Sequence, residues 1–263
     1  MDVNLKNKVA LVCASSQGMG YACAALLAKA GAHIIICARR KGLLRAAAEK
    51  LKKIGPGRVL SIQADVSKQD DIKRVVTSSI KSFKTINILI NNAGGPHPGT
   101  IESLTDHDWY EAINLNLMST IRFSSLVVPH MKKKKWGRII NIVSIAAKAP
   151  IKGMGLSNTV RAAVLGFAKT LSQEVSQYGI TVNSLCPGAI ATERFERLIA
   201  IDAKEAGKSV KEIKKEIASS IPVKFIAEPN DFAQLVLFLA SPEARYINGA
   251  VISVDGGEYK GLI

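Results

Sequence analysis

Val9-Ala10-Leu11-Val12-Cys13-Ala14-Ser15-Ser16-Gln17-Gly18-Met19-Gly20 runs from an unbroken apolar stretch into a turn of small residues. Val9–Ala14 shows no polar alternation, as a strand covered on both faces requires. The serines and glycines that follow stand where a helix begins. At such a turn backbone amides approach a pyrophosphate closely, and the helix N-terminus adds unpaired N–H groups and a positive dipole end. Ser15, Ser16, Gly18, Met19 and Gly20 are therefore candidate phosphate contacts. Two glycines alone are ordinary turn chemistry, and their meaning comes from the pattern around them.

That pattern repeats along the chain. His33–Ala38, Val59–Gln63, Ile88–Asn91, Arg138–Val143, Thr181–Leu185 and Val251–Val254 are further short runs rich in Val, Ile and Leu, with helical stretches between them. Alternation of this kind implies right-handed crossovers and an α/β, doubly wound, seven-stranded parallel sheet with helices on both faces. Ser67 before Asp70 and Thr105 before Asp108 have capping-box spacing, so helices are expected to start there. No repeat, low-complexity tract or linker divides residues 1–263, which read as a single dinucleotide-binding domain of Rossmann type. One segment, 193–220, is charged and helical. It follows a strand's carboxyl end, where open α/β sheets bind ligands, and reads as a helical lid over a substrate.

Composition narrows the setting. A hydrophobic content of 48% supports a packed core. The first apolar run is too short for a secretory leader and Asp2 stands before it; no run approaches the ~20 residues of a membrane span. Cys13, Cys23, Cys37 and Cys186 form no CxxC and fall in expected buried elements, so reduced thiols in a cytoplasmic protein are expected. The formal net charge of +15 favours acidic partners. Its densest run, Lys132–Lys135, suits a solvated helix C-terminus. No zinc-ligand spacing, RNA-binding signature or helix-turn-helix pattern supports specific nucleic-acid recognition, and no metal site is expected.

The second strand ends Ala38-Arg39-Arg40, where a cofactor with two free ribose hydroxyls would want a carboxylate. Arg39 instead offers a fork of donors suited to a 2′-phosphate, which favours NADP(H) over NAD(H).

With Asp65-Val66, Asn91-Asn92-Ala93-Gly94, Asn116, Ser144, Asn183, Pro187-Gly188, Thr192 and Val254-Asp255-Gly256-Gly257 in this order, the chain resembles the short-chain dehydrogenase/reductase family over about residues 5–258. It looks most like the 3-oxoacyl-(acyl-carrier-protein) reductases. The resemblance implies that Gly18, Met19 and Gly20 pack on the pyrophosphate, that Asp65 bonds the adenine amino group, and that Val66 flanks the ring. It implies further that Asn92, Ala93 and Gly94 line the adenosine ribose and that Pro187, Gly188 and Thr192 hold the nicotinamide end. Ser144 would bond a substrate carbonyl and Asn116 would support a relay water. A homotetramer built through helices near Asp106–Lys134 and Asn158–Gln177 is implied too. So is a carbonyl substrate that is either a small molecule or linked to an acyl carrier.

Two positions depart from the family pattern. Its tyrosine, thirteen residues after the serine, falls on Ser157, and its lysine, four later, falls on Arg161. Tyr110 and Tyr178 cannot restore the motif by a shifted register. Ala14 also replaces the first glycine of the turn, and Gln17 lacks the basic side chain that some NADP enzymes carry there.

Residues four apart share a helix face, so Ser157 and Arg161 can act together. Arg161 keeps a permanent charge for an alkoxide and the cofactor ribose, yet gives up no proton at ordinary pH. A serine hydroxyl is a far weaker acid than a phenol of pKa ~10. Losing a positioned general acid costs ~10²- to 10⁴-fold. His97, in the loop after a cofactor-lining strand, is a possible replacement acid, with Lys148 and Lys152 as weaker candidates. Alternatively Ser157, Arg161 and these lysines form an anion site. The expected function is NADP(H)-dependent reduction of a ketone or 3-oxoacyl thioester; the alternative is an NADP(H)-binding sensor or scaffold with little or no turnover.

Overall fold

The computed structural model describes residues 3–262; Met1, the Asp2 that argued against a leader, and Ile263 lie outside the described residues. Seven parallel strands form one sheet: β1 (Val9–Val12), β2 (His33–Ala38), β3 (Val59–Gln63), β4 (Ile88–Asn91), β5 (Gly137–Ile142), β6 (Ile180–Pro187) and β7 (Val251–Val254). Their order is β3-β2-β1-β4-β5-β6-β7. The helices, in chain order, are α1 (Gly18–Lys29), α2 (Lys41–Lys52), α3 (Gln69–Phe83), α4 (Asp106–Ala112), α5 (Ser119–Lys134), α6 (Gly155–Val175), α7 (Glu193–Ala206), α8 (Val210–Ser220) and α9 (Pro229–Leu239).

The pleat divides each apolar strand between two cores, as strand alternation demands. Ala10 and Val12 of β1 face α1, α2 and α9, with Leu27, Leu51 and Phe232. Val9 and Leu11 face α3, α5 and α6, with Ile72, Phe123 and Val175. The sheet is thus covered on both faces, which accounts for the absence of polar alternation in the sequence.

Strand limits differ from the expected ones by one to two residues. β1 ends at Val12 because Ala14 turns into the left-handed region at φ 45°. β6 continues to Pro187 because Cys186 and Pro187 still pair with Ser253 and Val254. One of the two expected capping boxes forms: Thr105 N donates to Asp108 Oδ2 at 2.8 Å, and Thr105 Oγ1 accepts from Asp108 N at 3.4 Å. The Ser67 box does not. Asp65 draws that hydroxyl back, Oγ to Oδ1 at 2.8 Å, so Lys68 takes the N-cap position without a side-chain bond. A further box, Ser209 with Glu212, starts α8.

Between α4 and α5 the helix widens into a π turn, Ile113–Met118, which carries Asn116. Such turns recur at functional sites because they displace one side chain from the regular face. Residues 193–220 form a helical hairpin, α7 and α8, with an apolar cluster of their own at Ile199, Ala203 and Ile213. Lys214 Nζ meets Glu196 Oε1 at 2.7 Å across it. Lys132–Lys135 closes α5, with Lys132 over the Tyr178 ring at 4.5 Å. Cys13, Cys23, Cys37 and Cys186 are free and buried, and burial pushes the Cys23 thiol up to about 12. Among the described residues, no helix is long and apolar enough to cross a membrane, and no group of His, Cys, Asp or Glu could hold a metal.

Candidate active site

The crossovers from β1 and β4 leave in opposite directions, so a crevice opens at the carboxyl ends of these strands. It is a cleft of about 780 Å³ whose lining runs from Arg39 and Arg40 at one end to Ser144, Ser157 and Arg161 at the other.

At the adenosine end, Ser16, Gly18, Met19 and Gly20 line the cleft with Val66, Asn92, Ala93 and Gly94. Asn92 Nδ2 donates to the carbonyls of Cys13 and Ala14, both at 3.2 Å, and so holds the turn against β4. A Cβ on Gly20 would lie 2.7 Å from that amide nitrogen, which explains the glycine. Ala14 occupies a left-handed conformation that favours glycine, so its methyl group strains the turn. Arg39 and Arg40 are both exposed; Arg40 Nη2 donates to Gln17 Oε1 at 2.7 Å. Gln17 therefore carries a basic group by proxy. The sequence reading named Arg39 alone for a 2′-phosphate; the structure brings Arg40 to the same end of the cleft, through a contact with Gln17, 23 residues away.

Two expected contacts do not reach the cleft. The buried Ser15 turns its hydroxyl onto Val12 O at 2.7 Å. Asp65 Oδ1 accepts from Ser67 N and Oγ, and the aspartate is absent from the lining although its neighbour Val66 is present.

At the other end, α6 carries Ser157 and Arg161 one turn apart on the face turned to the cleft, and Ser144 follows β5. Arg161 is only 9% exposed. Its Nη1 donates to Val143 O at 2.6 Å and to Ile142 O at 3.3 Å. Burial, and next the neighbouring Arg194, bring its pKa down to about 10, so it stays charged at neutral pH. None of the chain's five tyrosines lines the cleft.

Behind Arg161 lies a second, much smaller cavity bounded by Asn91, Asn116, Thr120 and Val164 among others. Asn116 Nδ2 donates to Gly94 O at 2.9 Å, while its buried Oδ1 and that of Asn91 have no protein partner. A polar hole with unpaired acceptors is the kind that holds a water. Thus Asn116 stands beside Arg161, in this hole rather than in the main cleft.

The proposed replacement acids fare differently. His97 lines the cleft, but Nε2 meets Asp108 Oδ1 at 2.8 Å and Nδ1 meets Pro98 O at 2.9 Å. The Pro98 carbonyl, then the Asp108 carboxylate, raise its pKa by holding the protonated ring. To serve a substrate, its proton would have to leave one of these bonds, so the ring is placed to anchor its loop. Lys148 points away, onto Ser253 Oγ at 3.2 Å and the Tyr259 ring at 4.3 Å, and Lys152 is not among the lining residues. Lys148 is captured by side chains remote in sequence, whereas His97 is held by the adjacent Pro98 carbonyl and by Asp108.

Beyond β6, Pro187, Gly188 and Thr192 line the cleft, and Thr192 Oγ1 caps α7 by accepting from Phe195 N at 3.3 Å, which leaves its O–H as a donor. The next turn supplies a residue that sequence reasoning missed. Arg194 Nη1 donates to Gly95 O at 2.7 Å and Nη2 to Pro96 O at 2.8 Å, tying α7 to the loop after β4. A Cβ on Gly95 would meet this guanidinium at 2.8 Å. The adjacent Gly94-Gly95 pair was the available signal.

Comparison with known proteins gives concordant matches. A family model described as enoyl-(acyl carrier protein) reductase matches residues 13–258. Human dehydrogenase/reductase SDR family member 4 is 36% identical over 254 residues, covering 96% of this chain and 88% of that protein. The 3-oxoacyl-(acyl-carrier-protein) reductase FabG of Vibrio harveyi is 35% identical over 257 residues, 98% of this chain and 99% of its own. Among solved structures, L-sorbose reductase of Gluconobacter frateurii complexed with NADPH and L-sorbose superposes with a TM-score of 0.96 at 36% identity, covering both chains fully.

Proposed function

The chain belongs to the short-chain dehydrogenase/reductase family, and from that premise we propose that it is an NADPH-dependent carbonyl reductase whose Ser157–Arg161 pair replaces the usual phenol and ammonium. The observation that carries this reading is the meeting of Ser144, Ser157 and Arg161 in one cleft with the glycine turn and Arg39. The amides at Gly18–Gly20 would hold the pyrophosphate, Arg39 and Arg40 the 2′-phosphate, and Thr192 the carboxamide. The similar sorbose reductase, in complex with NADPH and a ketose, supports this cofactor. When bound, the cofactor supplies a hydride.

The remaining chemistry belongs to the chain. Ser144 donates a hydrogen bond to the carbonyl oxygen. Arg161, desolvated and positive, stabilises the charge that develops there; buried charge acts strongly because little water screens it. Ser157 is too weak an acid to be the ultimate donor, so it relays: its proton passes to the alkoxide as it takes one from a solvent-connected water, and acid from bulk solvent neutralises the hydroxide that is left. Asn116 and Asn91, with their unpaired acceptors, hold a water in the polar hole behind Arg161. The α7–α8 hairpin, with its own apolar cluster and the Arg194 latch, acts as the lid. The substrate is a ketone or 3-oxoacyl thioester, the assembly a homotetramer and the compartment the cytoplasm, in keeping with the free thiols.

NADPH oxidation by the purified protein against a panel of ketones and 3-oxoacyl thioesters tests this. Ser157→Tyr combined with Arg161→Lys should raise turnover, by at most the ~10²- to 10⁴-fold that a general acid contributes. A second reading, cofactor binding without turnover, draws on the absence of any tyrosine from the cleft; tight NADPH binding with no substrate reduced would establish it.

A further inference from the structure

The positive charge of the chain is gathered rather than spread. Residues 3–58 carry eleven lysines and arginines against Glu49 alone, and residues 112–173 carry ten with no acidic residue. The rest of the chain is weakly acidic, so these two stretches supply the whole of the +15. The fold brings much of that charge to one end of the molecule. Each crossover helix returns the chain to the amino ends of the strands, so α1, α2, α3 and α5 all finish there, at Lys29, Lys52, Phe83 and Lys134. Lysines in a last turn complement the helix dipole, which accounts for those inside the helices. It does not account for the loops between helix and strand, where Lys6, Lys8, Lys53, Arg58, Lys84 and Lys135 add further cations. The acids of this end are Glu49, Glu174 and Glu243. Among the described residues only Lys52 is ion-paired here, with Glu49 at 2.8 Å.

The shape of this end selects among anionic partners. Single-stranded nucleic acid stacks its bases on open ring faces, but the rings here are already met by cations. Lys8 Nζ lies 3.9 Å and Arg138 Cζ 4.5 Å from the Trp136 ring, Arg58 Cζ stands 4.7 Å over Phe83, and Lys132 covers Tyr178. A duplex groove takes the flank of a helix or a strand ribbon, whereas this end presents helix termini. Beside the lysines stand two apolar or amphipathic side chains: Tyr246 is fully exposed and Ile54 is 38% exposed. Tyr246 lies in the link from α9 to β7, which Arg138 Nε ties to β5 through Ser241 O at 3.1 Å. Flexible ammonium groups around an interfacial tyrosine suit the negative surface potential and headgroup layer of a bilayer. We propose that the amino end of the sheet docks on a membrane surface of anionic phospholipid, with Tyr246 and Ile54 reaching the headgroups. The cleft, at the carboxyl ends of the strands, then faces away and stays open. None of these residues lines it, so the docking is independent of the reductase reading.

Flotation of the purified full chain with vesicles of phosphatidylcholine, alone or mixed with phosphatidylserine, tests this. The protein should rise with the mixed vesicles, stay behind with the neutral ones, and be released as salt is raised. A lysine near such a surface contributes roughly fivefold in affinity, so Lys133→Glu combined with Lys134→Glu should weaken vesicle binding more than about tenfold. Both positions are exposed at the end of α5, so folding and NADPH affinity should not change. Lys211→Glu combined with Lys215→Glu makes the same change in net charge on α8, away from this end. Screening over that distance should hold its effect on vesicle binding to about twofold. The proposal is overturned if lipid charge makes no difference, or if the two double variants lose binding equally. It is overturned too if a mixed-sequence RNA is bound while the vesicles are not.

Discussion

The two ends of the cleft are built from different materials. The adenosine end uses backbone amides, glycines and two solvent-exposed arginines, Arg39 and Arg40. The reaction end uses side chains from separate elements, with a buried arginine at its centre. Exposed charge is screened by water and salt and yields modest, adjustable affinity. Buried charge is fixed and unscreened, so it commits the site to one kind of partner.

Substitutions can break this contrast. Ser144→Ala removes the hydroxyl proposed to bond the carbonyl oxygen, and kcat should fall about 10²- to 10³-fold with NADPH affinity unchanged. A similar loss in NADPH affinity would mean that the two ends are not independent. Replacing Arg39 and Arg40 together by alanine should weaken NADPH about tenfold and leave NADH unaffected, as removal of charged hydrogen bonds requires. Raising the salt concentration should reproduce part of that loss in the unaltered protein, read by NADPH fluorescence.

Smaller effects sharpen the comparison. Ala14→Gly relieves a left-handed alanine, so the melting temperature should rise by the equivalent of about 1 kcal/mol or less. No change would mean that the turn absorbs the methyl group without strain. The His97–Asp108 contact should be the weakest, because the imidazole is 53% exposed. Its folded pKa lies above the unfolded value, so the stability it contributes is complete below the unfolded pKa of ~6.5 and is lost as pH rises through the raised value. An NMR titration should place its midpoint above that of a free histidine, and Asp108→Asn should bring it down.

The cofactor half was largely legible in the sequence because its chemistry is local. Gly18, Met19 and Gly20 contact the cleft through their own backbone, so a strand, a turn and a helix start suffice to place them. Ser67 and Ser15 show where locality misleads: Asp65 and Val12 O, within three residues, took hydroxyls assigned elsewhere. The reaction end was legible in composition but not in wiring. Ser144, Ser157 and Arg161 were identifiable through the resemblance to the family pattern, whereas Arg194 could not be, because its partners Gly95 and Pro96 lie about a hundred residues away. Lys148 looked free for the same reason, its partner Ser253 being 105 residues away.

By itself the sequence determined the doubly wound parallel sheet and the phosphate turn, since each follows from periodicity and local turn chemistry; the Ser157–Arg161 departure came from setting the chain beside the family pattern it resembles. Only the tertiary structure decided which charge is buried. Arg161 became a buried cation because α6 packs it against the carbonyls of Ile142 and Val143 at the end of β5, and burial is a property of what surrounds a residue, which no stretch of sequence contains.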